Sequence, residues 1–194
     1  NLGYMLAQAG YSVVCPQAMM HSARDDTTLR DASFWSILQH SLETFPALLA
    51  ACQQEKLGDV SRLGVMGTSM GGFAVLGTMA QYPEIQAGAA YMASGYFTEA
   101  ISEIHPPTAS ALAACLHGIA PYDIAGKEER LAQRPLFVWH GQQDTVVDVK
   151  YAEHLREAIG SGDLTCLIDP LSGHKINQQS VEAGIDFFHR VLPV

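Results

Sequence analysis

The stretch Leu63-Gly64-Val65-Met66-Gly67-Thr68-Ser69-Met70-Gly71-Gly72-Phe73-Ala74-Val75-Leu76-Gly77 (LGVMGTSMGGFAVLG) decides how the rest of the chain is read. It passes from a short apolar run into a serine bracketed by glycines, then into a second apolar run rich in small residues. Gly67-Thr68-Ser69-Met70-Gly71 has the pattern Gly-x-Ser-x-Gly, which is weak by itself in a chain with 17 glycines. Its flanks carry the weight. A buried strand over 62–66, followed at once by a helix over 71–81, places the serine on the sharp strand-to-helix turn that a nucleophile elbow requires. There the serine must adopt a strained backbone conformation so that its hydroxyl stands clear of the sheet. Gly67 and Gly71, two positions before and two after, are expected to remove side chains that would collide in so tight a turn. The helix opens with free N–H groups and the positive end of its dipole, so the Met70 N–H can stabilise an oxyanion.

Outward from this stretch, short apolar runs alternate with longer amphipathic ones. The expected strands are 11–15 (YSVVC), 62–66 (RLGVM), 87–92 (AGAAYM), 135–140 (PLFVWH) and 164–168 (LTCLI). They are continuously apolar rather than alternating, which marks strands covered on both faces of a parallel sheet. Helices are expected over 31–54, 71–81, 149–159 and 179–191. Pro46 should kink or break the first of them. Alternating strand and helix predicts a single α/β domain over 1–194 with a mostly parallel, doubly wound sheet flanked by helices, and ligands at the carboxyl ends of its strands. The segment 97–134 is too long for a simple connection and would suit a small lid beside the site.

A serine nucleophile needs a base, and the base needs an orienting carboxylate. Beyond the strand 135–140 comes His140-Gly141-Gln142-Gln143-Asp144, and beyond 164–168 comes Leu171-Ser172-Gly173-His174. Ser69, Asp144 and His174 therefore follow in the order serine, acid, histidine, each on a loop after a strand. Asp148 is a rival acid, but its place at the start of a helix reads as an N-cap. His140 closes a strand and suits a structural hydrogen bond across its loop, and His189 falls in the final helix. His21, His40, His105, His117 and His154 form no pair at metal-ligand spacing, so no metal is expected. The glycine turn has neither the Gly-x-Gly-x-x-Gly spacing of a dinucleotide site nor the lysine of a phosphate loop, so no cofactor is expected either.

The chain has 194 residues, 48% of them hydrophobic, enough for one sizeable core. A formal net charge of −9 argues against nucleic acid or an anionic membrane as the main partner. The four cysteines, Cys15, Cys52, Cys115 and Cys166, lie far apart and read as free thiols, which favours a reducing, cytoplasmic setting. No apolar run reaches the length of a membrane span, and no signal-peptide pattern opens the chain. Residues 1–10 read as a helix already under way that ends at Gly10, so the chain is expected to be a piece of a longer protein.

The motifs Leu6-Ala7-Gln8-Ala9-Gly10-Tyr11, Phe34-Trp35-Ser36-Ile37-Leu38, Gly67-Thr68-Ser69-Met70-Gly71-Gly72, Ser94-Gly95-Tyr96-Phe97-Thr98, Trp139-His140-Gly141 with Asp144, and Ser172-Gly173-His174 resemble small bacterial carboxylesterases of the α/β-hydrolase superfamily. The likeness runs through nearly the whole chain and is strongest to YjfP-type esterases, related to the dienelactone-hydrolase and prolyl-oligopeptidase-like branch. It implies cleavage of small acyl esters through an acyl-enzyme, with Ser69 as nucleophile, His174 as general base and then acid, and Asp144 orienting the imidazole. It also implies further N-terminal strands, one of them central and ending in a His-Gly turn that supplies a second oxyanion N–H. Relatives usually carry an acid where Gln17 stands and a glycine where Ser22 stands. A thioesterase, dienelactone hydrolase or peptidase would use the same residues. A fold kept for binding without turnover is the alternative of a different class, favoured by Gln17, Ser22 and the missing second donor.

Overall fold

A computed structural model describes residues 2–21 and 26–194. Ser22 and Asn1 lie outside the described residues. The chain opens with α1 (Leu2–Gln8). Gly10, at φ 98°, ends it. The Gly10 N–H reaches the Ala7 carbonyl at 3.1 Å and the Tyr11 N–H reaches that of Leu6 at 3.2 Å. This is the paired closure of a helix by a left-handed glycine.

Next come α2 (Thr27–Ala32) and α3 (Phe34–Gln54), divided at Ser33 where a single helix over 31–54 was expected. Pro46 does not break α3. It faces solvent in a helix whose first half buries Phe34, Trp35, Ile37, Leu38 and Leu42. Immediately before the proline, Phe45 lays its ring 5.1 Å from that of Tyr82. Packing outweighs the one backbone hydrogen bond that Pro46 cannot donate.

The remaining elements alternate: β1 (Leu63–Thr68), α4 (Met70–Gln81), β2 (Ile85–Tyr91), the short helices α5 (Phe97–Ala100), α6 (Ala109–Ile119) and α7 (Glu128–Ala132), β3 (Leu136–Gly141), α8 (Lys150–Ile159), β4 (Leu164–Asp169) and α9 (Gln178–Val191). Among the described residues the strands form one parallel sheet in the order β1-β2-β3-β4. A sheet that grows in one direction through right-handed crossovers puts every crossover helix on one face. Accordingly α3, α4 and the helices of 97–132 pack with α8 on one side, around Leu38, Leu76, Phe97, Leu136, Val138 and Leu155. On the other side Ala87, Ala89, Tyr91, Phe137 and Trp139 meet Phe187 and Phe188 of α9. Successive residues of β2 and β3 thus serve opposite layers.

Burial on both faces holds for the central β2 and β3, but β1 and β4 are only partly buried, because each flanks the sheet among the described residues. The expected strand over 11–15 is absent. A strand needs a ladder, and β1 has no partner on its outer side among the described residues. Tyr11 is held instead by side-chain contacts with the end of α9. Its hydroxyl donates to the Leu192 carbonyl at 3.0 Å, and its ring stacks on His189 at 5.7 Å.

Candidate active site

All four strands point the same way, so the chain leaves each of them at the same edge of the sheet. Ser69 follows β1, Asp144 lies three residues beyond β3, and His174 lies five beyond β4. Ser69 takes φ 50° and ψ −123° at the N-cap of α4, the strained turn expected from the sequence. Its N–H is tied to the Tyr91 carbonyl at the end of β2, at 2.9 Å. Gly67 and Thr68 belong to β1, so the bend is confined to Ser69 itself.

The two flanking glycines have different reasons to be there. A Cβ on Gly67 would lie 2.3 Å from the Gly71 carbonyl oxygen. No side chain larger than hydrogen fits at 67. A Cβ on Gly71 would point into open space, so the expected collision at Gly71 does not occur. The crowding is one-sided: it is the backbone of Gly71 that excludes a side chain from position 67.

Ser69, His174 and Asp144 form one hydrogen-bonded chain. The His174 ring places Nε2 at 2.9 Å from Ser69 Oγ and Nδ1 at 2.7 Å from Asp144 Oδ2. A carboxylate only accepts, so Nδ1 carries the proton and Nε2 keeps its lone pair toward the serine O–H. The Asp144 carboxylate is fully buried, while about a fifth of the His174 side chain is exposed (21%). The other Asp144 oxygen accepts the N–H groups of Val146 and Val147, both at 2.9 Å. Buried carboxylates need such donors, and these fix which oxygen is left for His174.

His140 adds a contact that its position in the sequence does not reveal. Its Nε2–H donates to the Val147 carbonyl at 2.8 Å, the cross-loop bond expected of it, and lies 3.5 Å from the same Asp144 oxygen that holds His174. Burial pushes the His140 pKa below its ordinary range, outweighing the carbonyl and the carboxylate that favour the charge. The ring is therefore neutral and fixed as the Nε2–H tautomer. The only sequence signal was the four-residue spacing from His140 to Asp144.

The other residues singled out from sequence fall elsewhere. Asp148 points to the head of α8, where its carboxylate accepts the Lys150 N–H at 2.9 Å; the N-cap itself is Val149, one residue later than expected. His189 reaches the Ala9 carbonyl at 3.2 Å, remote from the serine in sequence and fold. The Met70 N–H opens α4 beside Ser69, in the first turn where N–H groups have no acceptor within the helix. Gln17 is exposed. Beside it the chain turns through Met20 at φ 57°. Among the described residues, no group of three or more metal-ligating side chains converges, and no helix is long and apolar enough to cross a membrane.

A parallel sheet with helices on both faces and a serine elbow at its carboxyl edge define the α/β-hydrolase fold class. The solved structures agree: a puromycin-hydrolyzing peptidase of Mycobacterium tuberculosis superposes with a TM-score of 0.65 at 18% identity, over 78% of this chain and 25% of that one. Esterase PE8 superposes at 0.55 and 20% identity, over 90% and 69%. At such identities the likeness is one of fold. The model of the prolyl oligopeptidase family matches residues 3–192, and the chain belongs to that family. Esterase YjfP of Escherichia coli (strain K12) is 34% identical over 200 residues, which cover 96% of this chain and 80% of that protein.

Proposed function

We propose that the protein is a serine carboxylesterase that cleaves small acyl esters through an acyl-enzyme, without a cofactor. The observation that carries this reading is the chain of hydrogen bonds from Ser69 through His174 to Asp144. Ser69 Oγ attacks the ester carbonyl as its proton passes to His174 Nε2, and the Asp144 carboxylate stabilises the imidazolium that results. The Met70 N–H meets the oxyanion. Collapse expels the alcohol, which takes the proton from His174. Water, activated by the same imidazole, then releases the acid and regenerates Ser69.

The 34% identity to a protein named an esterase favours ester over peptide substrates. Thioesters, enol lactones or peptides would engage the same three residues, and we assign the choice among them to the helical segment 97–134, acting as a lid beside the site. Four free cysteines suit a reducing compartment such as the cytoplasm.

The test is turnover of p-nitrophenyl acetate and butyrate by the full-length protein. Ser69→Ala is expected to lower kcat on the order of 10⁴-fold or more, and Asp144→Asn by about 10⁴-fold through loss of the correct imidazole tautomer. Unchanged turnover in Ser69→Ala would remove the serine from the mechanism.

A further inference from the structure

Resting on the reading of Ser69 and His174 given above, we propose that Asp169 is a positioning residue for the reaction: its carboxylate clamps both ends of the loop that carries His174. That loop, residues 170–177, leaves β4 at Asp169 and enters α9 at Asn177. Apolar burial holds it at one point, Ile176, which packs against the cluster of Trp139 and Phe187. Leu171 is 83% exposed, and Lys175 also faces solvent. Yet His174 must keep both ring nitrogens within hydrogen-bonding distance of fixed partners, and polar contacts supply the restraint.

Asp169 Oδ2 accepts from Ser172 Oγ and from Asn177 Nδ2, each at 2.8 Å, while Oδ1 accepts the Leu171 N–H at 2.9 Å. One carboxylate thus grips the start, the middle and the end of the loop. Asn177 is oriented for this by a second duty. Its Oδ1 accepts the Ser180 N–H at 2.8 Å, and its own N–H donates to Ser180 Oγ at 3.1 Å, the reciprocal capping box of α9. With the amide oxygen committed to the helix, the amide nitrogen faces Asp169. Ser180 is buried, and its carbonyl accepts the Tyr91 hydroxyl at 3.2 Å, which anchors the cap to β2. Donors surround the Asp169 carboxyl, chiefly the Leu171 N–H and then the Ser172 hydroxyl, and hold it ionised below the usual carboxylate range.

The clamped loop rests on the loop that carries Asp144. Gln142 N–H reaches the Asp169 carbonyl at 2.8 Å and Gln143 N–H reaches that of Ser172 at 2.9 Å. A Cβ on Gly141 would lie 2.3 Å from the Ser172 carbonyl oxygen, so glycine is what lets the two backbones close up. The His174–Asp144 bond at 2.7 Å spans two loops that move as one body only while the clamp holds. Reacting geometry tolerates little slack: a displacement of about 1 Å costs on the order of 100-fold in rate.

The experiment compares wild type, Asp169→Asn, Asp169→Ala and the exchange Asp169→Asn/Asn177→Asp in the full-length protein, with Ser69→Ala alongside. Asp169→Asn keeps a single acceptor, so whichever way its amide turns, its N–H₂ meets a donor, either the Asn177 amide or the Leu171 N–H. The exchange restores a donor facing an acceptor, and a carboxylate at 177 still caps α9. The expected result is a fall in kcat of about 10- to 100-fold in both single variants, with KM unchanged and the thermal midpoint lowered only slightly. The downfield Nδ1–H resonance of His174 weakens with it, and both kcat and resonance recover in the exchange. Single variants with wild-type kcat and resonance would overturn the clamp. A loss that the exchange does not restore would also overturn it, by assigning the effect to damaged folding. If Ser69→Ala keeps its turnover, the esterase reading fails by itself, and the His174 resonance still decides the role of Asp169.

Discussion

Ser69 is held at φ 50°, where a residue with a side chain stores about 1–3 kcal/mol of strain. That strain persists because the turn is closed from both sides, by the Tyr91 carbonyl on its N–H and by the backbone of Gly71 against Gly67. The two glycines therefore answer differently to the same change. Gly67→Ala is expected to lower the free energy of unfolding in urea by about 1–3 kcal/mol, the range for forcing atoms into a packed site. Gly71→Ala is expected to leave stability unchanged or to raise it by up to about 1 kcal/mol through helix propensity. The sequence shows both as glycines two residues from the serine, and nothing in it says which one is crowded. His140 gives a second prediction at this scale. Its pKa is depressed in the folded state, so the unfolded chain takes up the proton first as pH falls. Stability is then fully present above the ordinary histidine value of 6.5 and is lost as pH drops below it, toward the lower folded value. His140→Gln should flatten that part of the stability-against-pH curve, measured by urea midpoints between pH 7 and pH 5.

Among the elements, α4 is the most completely fixed by its neighbours. At its N-terminus it carries the serine turn. At its C-terminus the Arg134 guanidinium donates to the Met79 carbonyl, and at 2.9 Å each to those of Tyr82 and Ile85, while Arg130 reaches Ala80 at 3.1 Å. Cations on the last carbonyls suit the negative end of a helix. Burial lowers the Arg134 pKa from its usual value, and the negative charge of Glu84 offsets part of that shift. In α3, by contrast, Pro46 is retained at a cost that packing covers. Pro46→Ala restores an N–H to a solvent-facing turn and should raise the free energy of unfolding by about 1–3 kcal/mol without altering turnover. Four strands, the helix ending at Gly10 and the helices over 71–81, 149–159 and 179–191 were legible because their runs are bounded by glycine, proline or charge. The helix over 31–54 was legible apart from its break at Ser33. The segment 11–15 was not, since an apolar run states only that residues can be buried. Whether they join a ladder depends on a neighbouring edge. The clamp at Asp169 was hidden for a similar reason: its partners are set by how β4 and α9 meet, not by any spacing along the chain.

At the scale of the whole molecule, a one-directional parallel sheet delivers three loops to one edge, and those loops bring together a serine, an imidazole and a carboxylate that lie far apart in the chain. Ser69 and His174 are 105 residues apart in sequence and 2.9 Å apart in space. Their order along the chain could be read in advance because strand order and loop order coincide in such a sheet. The acyl preference could not: in the reading proposed above it is set by the segment 97–134, whose packing no spacing along the chain reveals. The central claim is that this arrangement activates Ser69. Treating the full-length protein with a fluorophosphonate probe, then mapping the adduct by peptide mass spectrometry, tests it most directly. The account predicts one adduct, on Ser69, absent in Ser69→Ala and formed far more slowly in His174→Ala. A folded protein that does not label, or that labels at another residue, would contradict it.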